Sequence, residues 1–154
     1  MAGVARCSSC INVLAIAPLV PIVPALQKDL HRMWHAYEGF SFAFGPYIDV
    51  NMTTELDDKI YGKMFEIIDP MSYLDRLEEI PKLIVVSSDD EFMMMDWTNI
   101  YFDQLTGEKH LLILPNAEHT MATGIPDVLP AASAFVRSIA AGHDSSKRPS
   151  FDYI

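Results

Sequence analysis

The sequence predicts an α/β fold, in which helices pack against a parallel β-sheet. Three short apolar runs, at residues 13–17, 83–87 and 111–114, predict the strands, because strands that are buried on both faces of a sheet are continuously apolar rather than alternating. A helix is predicted between the second run and the third, and another after the third. This succession of strands and helices is typical of parallel α/β units.

The two helices are predicted from spacing and from their end signals. In residues 96–105, Asp96 can cap the first turn and Gly107 stops the helix. A second helix is predicted over residues 126–141, with Pro126 in its first turn and Gly142 after its end. The side chains expected to face the core are Trp97, Ile100, Tyr101, Leu105, Leu129, Ala132, Phe135, Val136 and Ile139.

Residues 18–68 differ from the rest of the chain, since they are rich in aromatic residues and methionine and contain no clear core strand. At least one helix is predicted there, over residues 25–37. We expect this stretch to be a helical insertion over the sheet. The predicted organisation is therefore a poorly determined segment at 1–12, the sheet domain at 13–142 and a disordered tail at 143–154.

Composition excludes several classes of function. The net charge of −10 and the pI near 4.7 leave no basic field for nucleic acid or anionic lipid. Residues 11–26 are apolar, but three prolines within them argue against a membrane-spanning helix. Cys7 and Cys10 form one C-x-x-C without a second pair. No cofactor, metal site or transmembrane segment is predicted.

Two polar loops follow successive predicted strands and carry the candidate chemistry. Asp89 and Asp90 come directly after residues 83–87, and His119 lies on the loop after residues 111–114. Alone, an Asp pair is usually a turn and a loop histidine is usually at the surface. Together, at the carboxyl ends of two strands, an aspartate can orient an imidazole and stabilise its protonated form. The order acid before histidine is that of α/β-hydrolases.

Two other motifs have weaker support. His31 and His35 lie four residues apart on the predicted helix, but Arg32 follows the first histidine where a zinc protease needs glutamate, so they indicate a polar helix face. Ser41 lies in a G-x-S-x-A sequence close to the pattern of a nucleophilic serine. Helical residues precede it instead of a strand, which argues against that role.

The stretches IIDPMSYLDRLEEIPKLIVVSSDDEF and FDQLTGEKHLLILPNAEHT resemble the PhoPQ-activated pathogenicity-related proteins, which include the autocrine proliferation repressor proteins. LAIAPLVP and YEGFSFAFGPY are also similar, so the resemblance covers residues 13–141. It implies an α/β-hydrolase fold with Asp90 as the acid and His119 as the histidine of a triad. Asp89 stands where the family commonly has glycine, and no glycine-flanked serine precedes LAIAP.

These observations predict a partial α/β-hydrolase fold whose parallel sheet is truncated at its N-terminal side, leaving an exposed edge that is expected to self-associate. The predicted function is that of a fragment of a serine-hydrolase-like protein, inactive alone because it lacks the nucleophile. Its substrate is expected to be a small molecule or peptide. The alternative is a non-catalytic secreted signalling or growth-repressor protein on the same scaffold; the resemblance alone suggests an extracellular location.

Overall fold

The fold contains two parallel strands with helices on both faces. A computed structural model describes residues 13–21 and 23–142 of the chain. Strand β1 (Lys82–Ser87) pairs in parallel with strand β2 (Lys109–Leu114) along the full length of both. The α/β class is confirmed at this level, and the predicted second and third strands are the two that form.

The first predicted strand, at residues 13–17, is not a regular strand within the described part of the chain. Ile16 and Leu19 make isolated parallel bridges to β1, and hydrogen bonds join residues 16–20 to residues 81–85. The residues that pair with β1 therefore extend past the predicted end at residue 17. Pro18 takes part through its carbonyl, which accepts the backbone N–H of Val85 at 3.0 Å. A proline is tolerated at an edge where its missing donor is not needed.

Helices account for most of the remaining regular structure. In the described residues they are α1 (Leu26–Tyr37), α2 (Gly45–Asp49), α3 (Lys59–Ile68), α4 (Leu74–Leu77), α5 (Thr98–Tyr101) and α6 (Ile125–Ala140). Short 3-10 turns occur at Phe42–Phe44, Pro70–Tyr73, Met95–Trp97 and Phe102–Gln104.

The two faces of the strands pack against different helices because successive side chains point to opposite faces. Ile84 and Val86 face a core formed with α1, α3 and the helical segment 95–104. Leu83 and Val85 face a second core formed with α6. The pair of strands is therefore covered on both sides, as the continuous apolar runs indicated.

Helix α6 begins one residue before the predicted start, and its core-facing side is the predicted one only in part: Ala132, Phe135 and Ile139 pack there as predicted. Val128 and Phe135 are buried, whereas Leu129 and Val136 are 63 % and 58 % exposed. The buried stripe passes through positions 128, 132, 135 and 139. Periodicity alone could not choose between two apolar stripes that are one residue apart.

The predicted helix at residues 96–105 is helical up to Gln104 but divided into an α-helical turn between two 3-10 turns. The prediction that Asp96 caps this helix was wrong. Its carboxylate pairs instead with the guanidinium of Arg32 on α1. The side chains of Trp97, Tyr101 and Leu105 are buried, as expected from their spacing.

Lys82 anchors the start of β1 from inside the protein. The residue is 1 % exposed, and its Nζ donates to the carbonyls of Leu77, Ile80 and Thr106 at 2.6–2.8 Å. Burial lowers the pKa of its ammonium group. These bonds join the segment before β1 to the turn before β2, so the two strands begin together.

The exposed edge of the sheet is apolar at residues 13–19, where Leu14 is 71 % exposed. The predicted self-association of this edge stays a prediction. None of the described helices is long and apolar enough to cross a membrane. The predicted N-terminal segment, with Cys7 and Cys10, and the predicted tail at 143–154 lie outside the described residues.

Candidate active site

The loops that follow β1 and β2 are joined by backbone hydrogen bonds. Ser88 N–H donates to Leu114 O and Asp89 N–H donates to Ala117 O, both at 3.0 Å. The backbone N–H of Asn116 donates to Ser88 Oγ at 2.7 Å. Parallel strands end at the same edge of a sheet, and these bonds continue that alignment into the loops.

Asp90 and His119 meet at this edge. His119 Nδ1 lies 2.9 Å from Asp90 Oδ2 and 3.0 Å from Oδ1. An ionised carboxylate only accepts hydrogen bonds, so with Asp90 ionised this pairing requires the proton on Nδ1 and leaves the lone pair of Nε2 free. Nε2 makes no hydrogen bond within the described part of the chain, so this nitrogen can receive a proton.

The Asp90 carboxylate is held in place by its own loop. Its side chain is 3 % exposed, against 26 % for His119. The backbone N–H groups of Phe92 and Met93 donate to Oδ1 at 2.8 and 3.0 Å. These bonds fix the carboxylate so that the imidazole, and not the acid, is the partner that reaches solvent.

Glu91 connects the two loops a second time. Its Oε2 accepts the backbone N–H of His119 at 3.0 Å, and this bond is the main cause that holds the pKa of Glu91 below its usual value. His119 is therefore held by Asp90 through its side chain and by Glu91 through its backbone.

The histidine loop is also organised around the carboxylate of Glu118. The hydroxyls of Thr123 and Thr120 donate to it at 2.6 and 2.7 Å, and the backbone N–H of Ala122 donates at 2.9 Å. The Thr123 bond contributes most to lowering the pKa of Glu118 to about 2. The loop thus keeps its shape through side chains that the sequence analysis did not select.

An open cleft of about 190 Å³ is lined in part by Asp90, but not by His119. Asp90, Glu91 and Phe92 contribute to one wall, and residues of the segment 33–42 form the other. The ring of Phe92 also contacts the imidazole of His119, with centroids 4.7 Å apart. The cleft therefore lies one side chain away from the imidazole.

Ser41 lines the cleft but does not contact His119. Its hydroxyl donates to the carbonyl of Glu91 and accepts the backbone N–H of Ala43 at 3.3 Å, which caps the turn Phe42–Phe44. These bonds give Ser41 a structural function, since they tie the turn after α1 to the loop of the acid.

A buried carboxyl, Asp29, lies behind the site on α1. It is 0 % exposed, and neither of its oxygens has a hydrogen-bond partner among the described residues. Burial is the main cause that raises its pKa from the ordinary 3.8 to about 7, with contributions from the charges of Asp96 and Asp90. Buried Trp97 Nε1 and Tyr101 Oη likewise have no partner in the described part of the chain.

The raised pKa of Asp29 makes the folding stability depend on pH. Between pH 4 and pH 7 the folded chain keeps a proton that the unfolded chain has released, so stability falls as the pH rises through this range. The substitution Asp29→Asn removes the ionisation. We expect it to raise the free energy of unfolding at pH 8 by roughly 1–3 kcal/mol and to change it little at pH 4. Urea denaturation at both pH values measures the difference.

Asp49→Asn provides the control, because Asp49 is exposed on α2. This variant should unfold like the parent chain at both pH values. Equal stabilisation by Asp29→Asn at pH 4 and pH 8 would contradict the assignment of the effect to ionisation.

The other predicted site residues are not brought to this edge. His31 pairs with Asp57 at 2.9 Å on an exposed surface, and His35 is exposed near the end of α1. No group of three or more His, Cys, Asp and Glu side chains that could hold a metal ion occurs within residues 13–21 and 23–142. Asp29 had one signal in the sequence, because it falls on the apolar face of α1 between Leu26 and Met33.

The chain is similar in sequence to known proteins over most of its length. The sequence profile of the PhoPQ-activated pathogenicity-related proteins matches residues 10–153. Autocrine proliferation repressor protein A of Dictyostelium discoideum is 32 % identical over 144 residues, which are 92 % of this chain and 28 % of that protein. The chain thus spans less than a third of that relative's length. No solved structure matches it. The chain belongs to the family of PhoPQ-activated pathogenicity-related proteins.

Proposed function

We propose that Asp90 and His119 are the acid and the base of a serine-hydrolase-type triad on an α/β-hydrolase fold. The nucleophile would come from a part of the protein outside the residues described. The observation that carries the proposal is the hydrogen bond from His119 Nδ1 to a buried carboxylate, which leaves Nε2 able to take a proton. The acid precedes the histidine along the chain, as in α/β-hydrolases.

The chemistry follows from this arrangement. His119 Nε2 accepts the proton of the nucleophile's hydroxyl as its oxygen attacks the carbonyl carbon of an ester or amide. Asp90 stabilises the imidazolium ion and keeps the ring in the orientation required. The same proton then passes to the leaving group as its bond to the carbonyl carbon breaks. The chain supplies the acid–base half of this reaction and not the attacking oxygen.

Fluorophosphonate labelling of the full-length protein tests the proposal, because this reagent traps serines that a histidine activates. We expect labelling of the full-length protein and its loss in His119→Ala. His31→Ala is the matched control, since His31 also pairs with an aspartate at 2.9 Å but lies at the surface, and it should be labelled normally.

Two results would overturn the proposal. Labelling at Ser41 would assign the nucleophile to this chain instead. A full-length protein without a reactive serine would favour a non-catalytic role on the same scaffold, in keeping with the relative's name, which refers to the repression of proliferation.

A further inference from the structure

A continuous series of ring contacts leads from the surface of the insertion to the candidate base. Trp34 contacts Phe40 with centroids 5.4 Å apart, and Phe40 contacts Phe44 at 5.8 Å. Phe44 contacts Phe92 at 5.6 Å, and Phe92 contacts the imidazole of His119 at 4.7 Å. Aromatic side chains therefore form a continuous path from α1 to the ring of His119.

Aromatic side chains also remain exposed at the mouth of the cleft beside this series. Phe42 is 86 % exposed and Tyr37 is 59 % exposed, and both line the cleft. Exposed aromatic rings that line a concave site are typical of ligand recognition, because they supply contact area with little loss of conformational entropy. Met33 and Met94, which also line it, adapt readily to the shape of an apolar group.

The charges around the cleft restrict its ligand. Its charged lining residues are Asp90 and Glu91, and none of the described residues that line it is basic. A ligand with a carboxylate or phosphate would approach two like charges, which is unfavourable in a partly desolvated site. Neutral and positively charged molecules meet no such repulsion.

We propose that this cleft binds the aromatic group of a neutral or positively charged ester or amide, and so selects the substrate of the Asp90–His119 pair. The proposal rests on the function proposed above for that pair. The aromatic group would lie against Phe42, Tyr37 and Phe40, and Phe92 would separate it from the imidazole. The carbonyl to be attacked would then project past Phe92 toward His119.

Binding by the full 154-residue chain tests the proposal without requiring hydrolysis. The probes are N-acetylphenylalanine amide, which is neutral, phenylalanine amide, which is cationic, N-acetylphenylalanine, which is anionic, and N-acetylalanine amide, which lacks the ring. Methionine methyl signals in carbon-13 NMR report the location, since Met33 and Met94 line the cleft and Met52 and Met93 line a separate apolar cavity behind Phe92.

We expect the neutral and cationic aromatic probes to shift the signals of Met33 and Met94. The anionic probe and the alanine probe should bind roughly tenfold more weakly. The double variant Tyr37→Ala/Phe42→Ala should bind the aromatic probes about tenfold more weakly than the parent chain, as expected for the loss of two ring contacts. Its matched control is Ile60→Ala, because Ile60 is 77 % exposed on α3 and does not line the cleft.

Several outcomes would overturn this assignment. They are equal binding of the anionic probe, shifts confined to Met52 and Met93, and undiminished binding by a folded double variant. The two failures can be told apart. Aromatic binding in the cleft without a reactive serine in the full-length protein would refute the hydrolase function, and with it the selection of a substrate by the cleft, and would leave only the binding of the aromatic group. His119-dependent labelling without aromatic binding would refute only the cleft.

Discussion

On the hydrolase function proposed above, Asp90→Asn in the full-length protein is expected to lower kcat for ester or amide hydrolysis by about 10,000-fold while leaving the fold intact. The side-chain amide of asparagine would donate to His119 Nδ1, whereas the carboxylate accepts from it. The proton of the imidazole would then move to Nε2, the nitrogen that must act as the base. A change of one oxygen to nitrogen therefore removes the base without removing the histidine.

Two measurements check this expectation. Steady-state kinetics of the full-length protein give the loss in kcat, and nitrogen-15 NMR of the imidazole in the 154-residue chain gives the position of the proton. The matched control is Asp89→Asn, because Asp89 is the neighbouring carboxylate but is exposed, and its side chain accepts from Ser88 whereas the imidazole of His119 pairs with Asp90. Equal losses in the two variants, or an unchanged proton position in Asp90→Asn, would contradict the role assigned to Asp90.

Gly107→Ala is expected to destabilise the fold by roughly 3–5 kcal/mol, a loss large enough to unfold a domain of this size. Gly107 has a φ of +72°, and a Cβ built there lies 1.8 Å from the backbone oxygen of Glu78. The positive φ and the close backbone oxygen both disfavour any residue with a Cβ. A left-handed backbone is strained for alanine, and the carbonyl of Glu78 belongs to the backbone and cannot rotate away as a side chain could. The turn that starts β2 would have to move.

The control for this prediction is Gly62→Ala on α3, where a Cβ meets nothing within 4 Å. Alanine has the higher helix propensity, so this variant should be stabilised by up to about 1 kcal/mol. Chemical denaturation of both variants gives the comparison. A Gly107→Ala chain as stable as the parent would show that the turn before β2 can rearrange at little cost.

Much of the fold could be predicted because its signals are local. Residues 83–87 and 111–114 form strands, and α1 and α6 lie within one residue of their predicted positions, since apolar period and end signals act over a few residues. The prediction of a strand at 13–17 was wrong in its bounds, because the residues that pair there are set by the register with β1 and not by the apolar content of the segment itself. The proposed hydrolase superfamily rests on the resemblance and the site, and not on a matching solved structure.

Part of the candidate site could likewise be predicted from the sequence, and part could not. Asp90 and His119 were predictable as neighbours because both follow strands that run parallel and adjacent, which brings their loops together. The support that Glu91 and Glu118 give to the histidine loop was not predictable. Surface carboxylates are common in this acidic chain, and nothing in the local sequence distinguishes those that accept backbone hydrogen bonds.

The sequence by itself determined strands β1 and β2, helices α1 and α6, and which two side chains stand at the ends of these adjacent strands, but it did not predict helices α2, α3 and α4. Only the tertiary structure decided that Asp29 is buried without a partner among the described residues, that a Cβ at Gly107 would meet the backbone of Glu78, and that aromatic rings connect Trp34 on α1 to His119. Local patterns are properties of neighbouring residues, whereas burial and contact arise from segments that are distant in the chain and meet only when it folds.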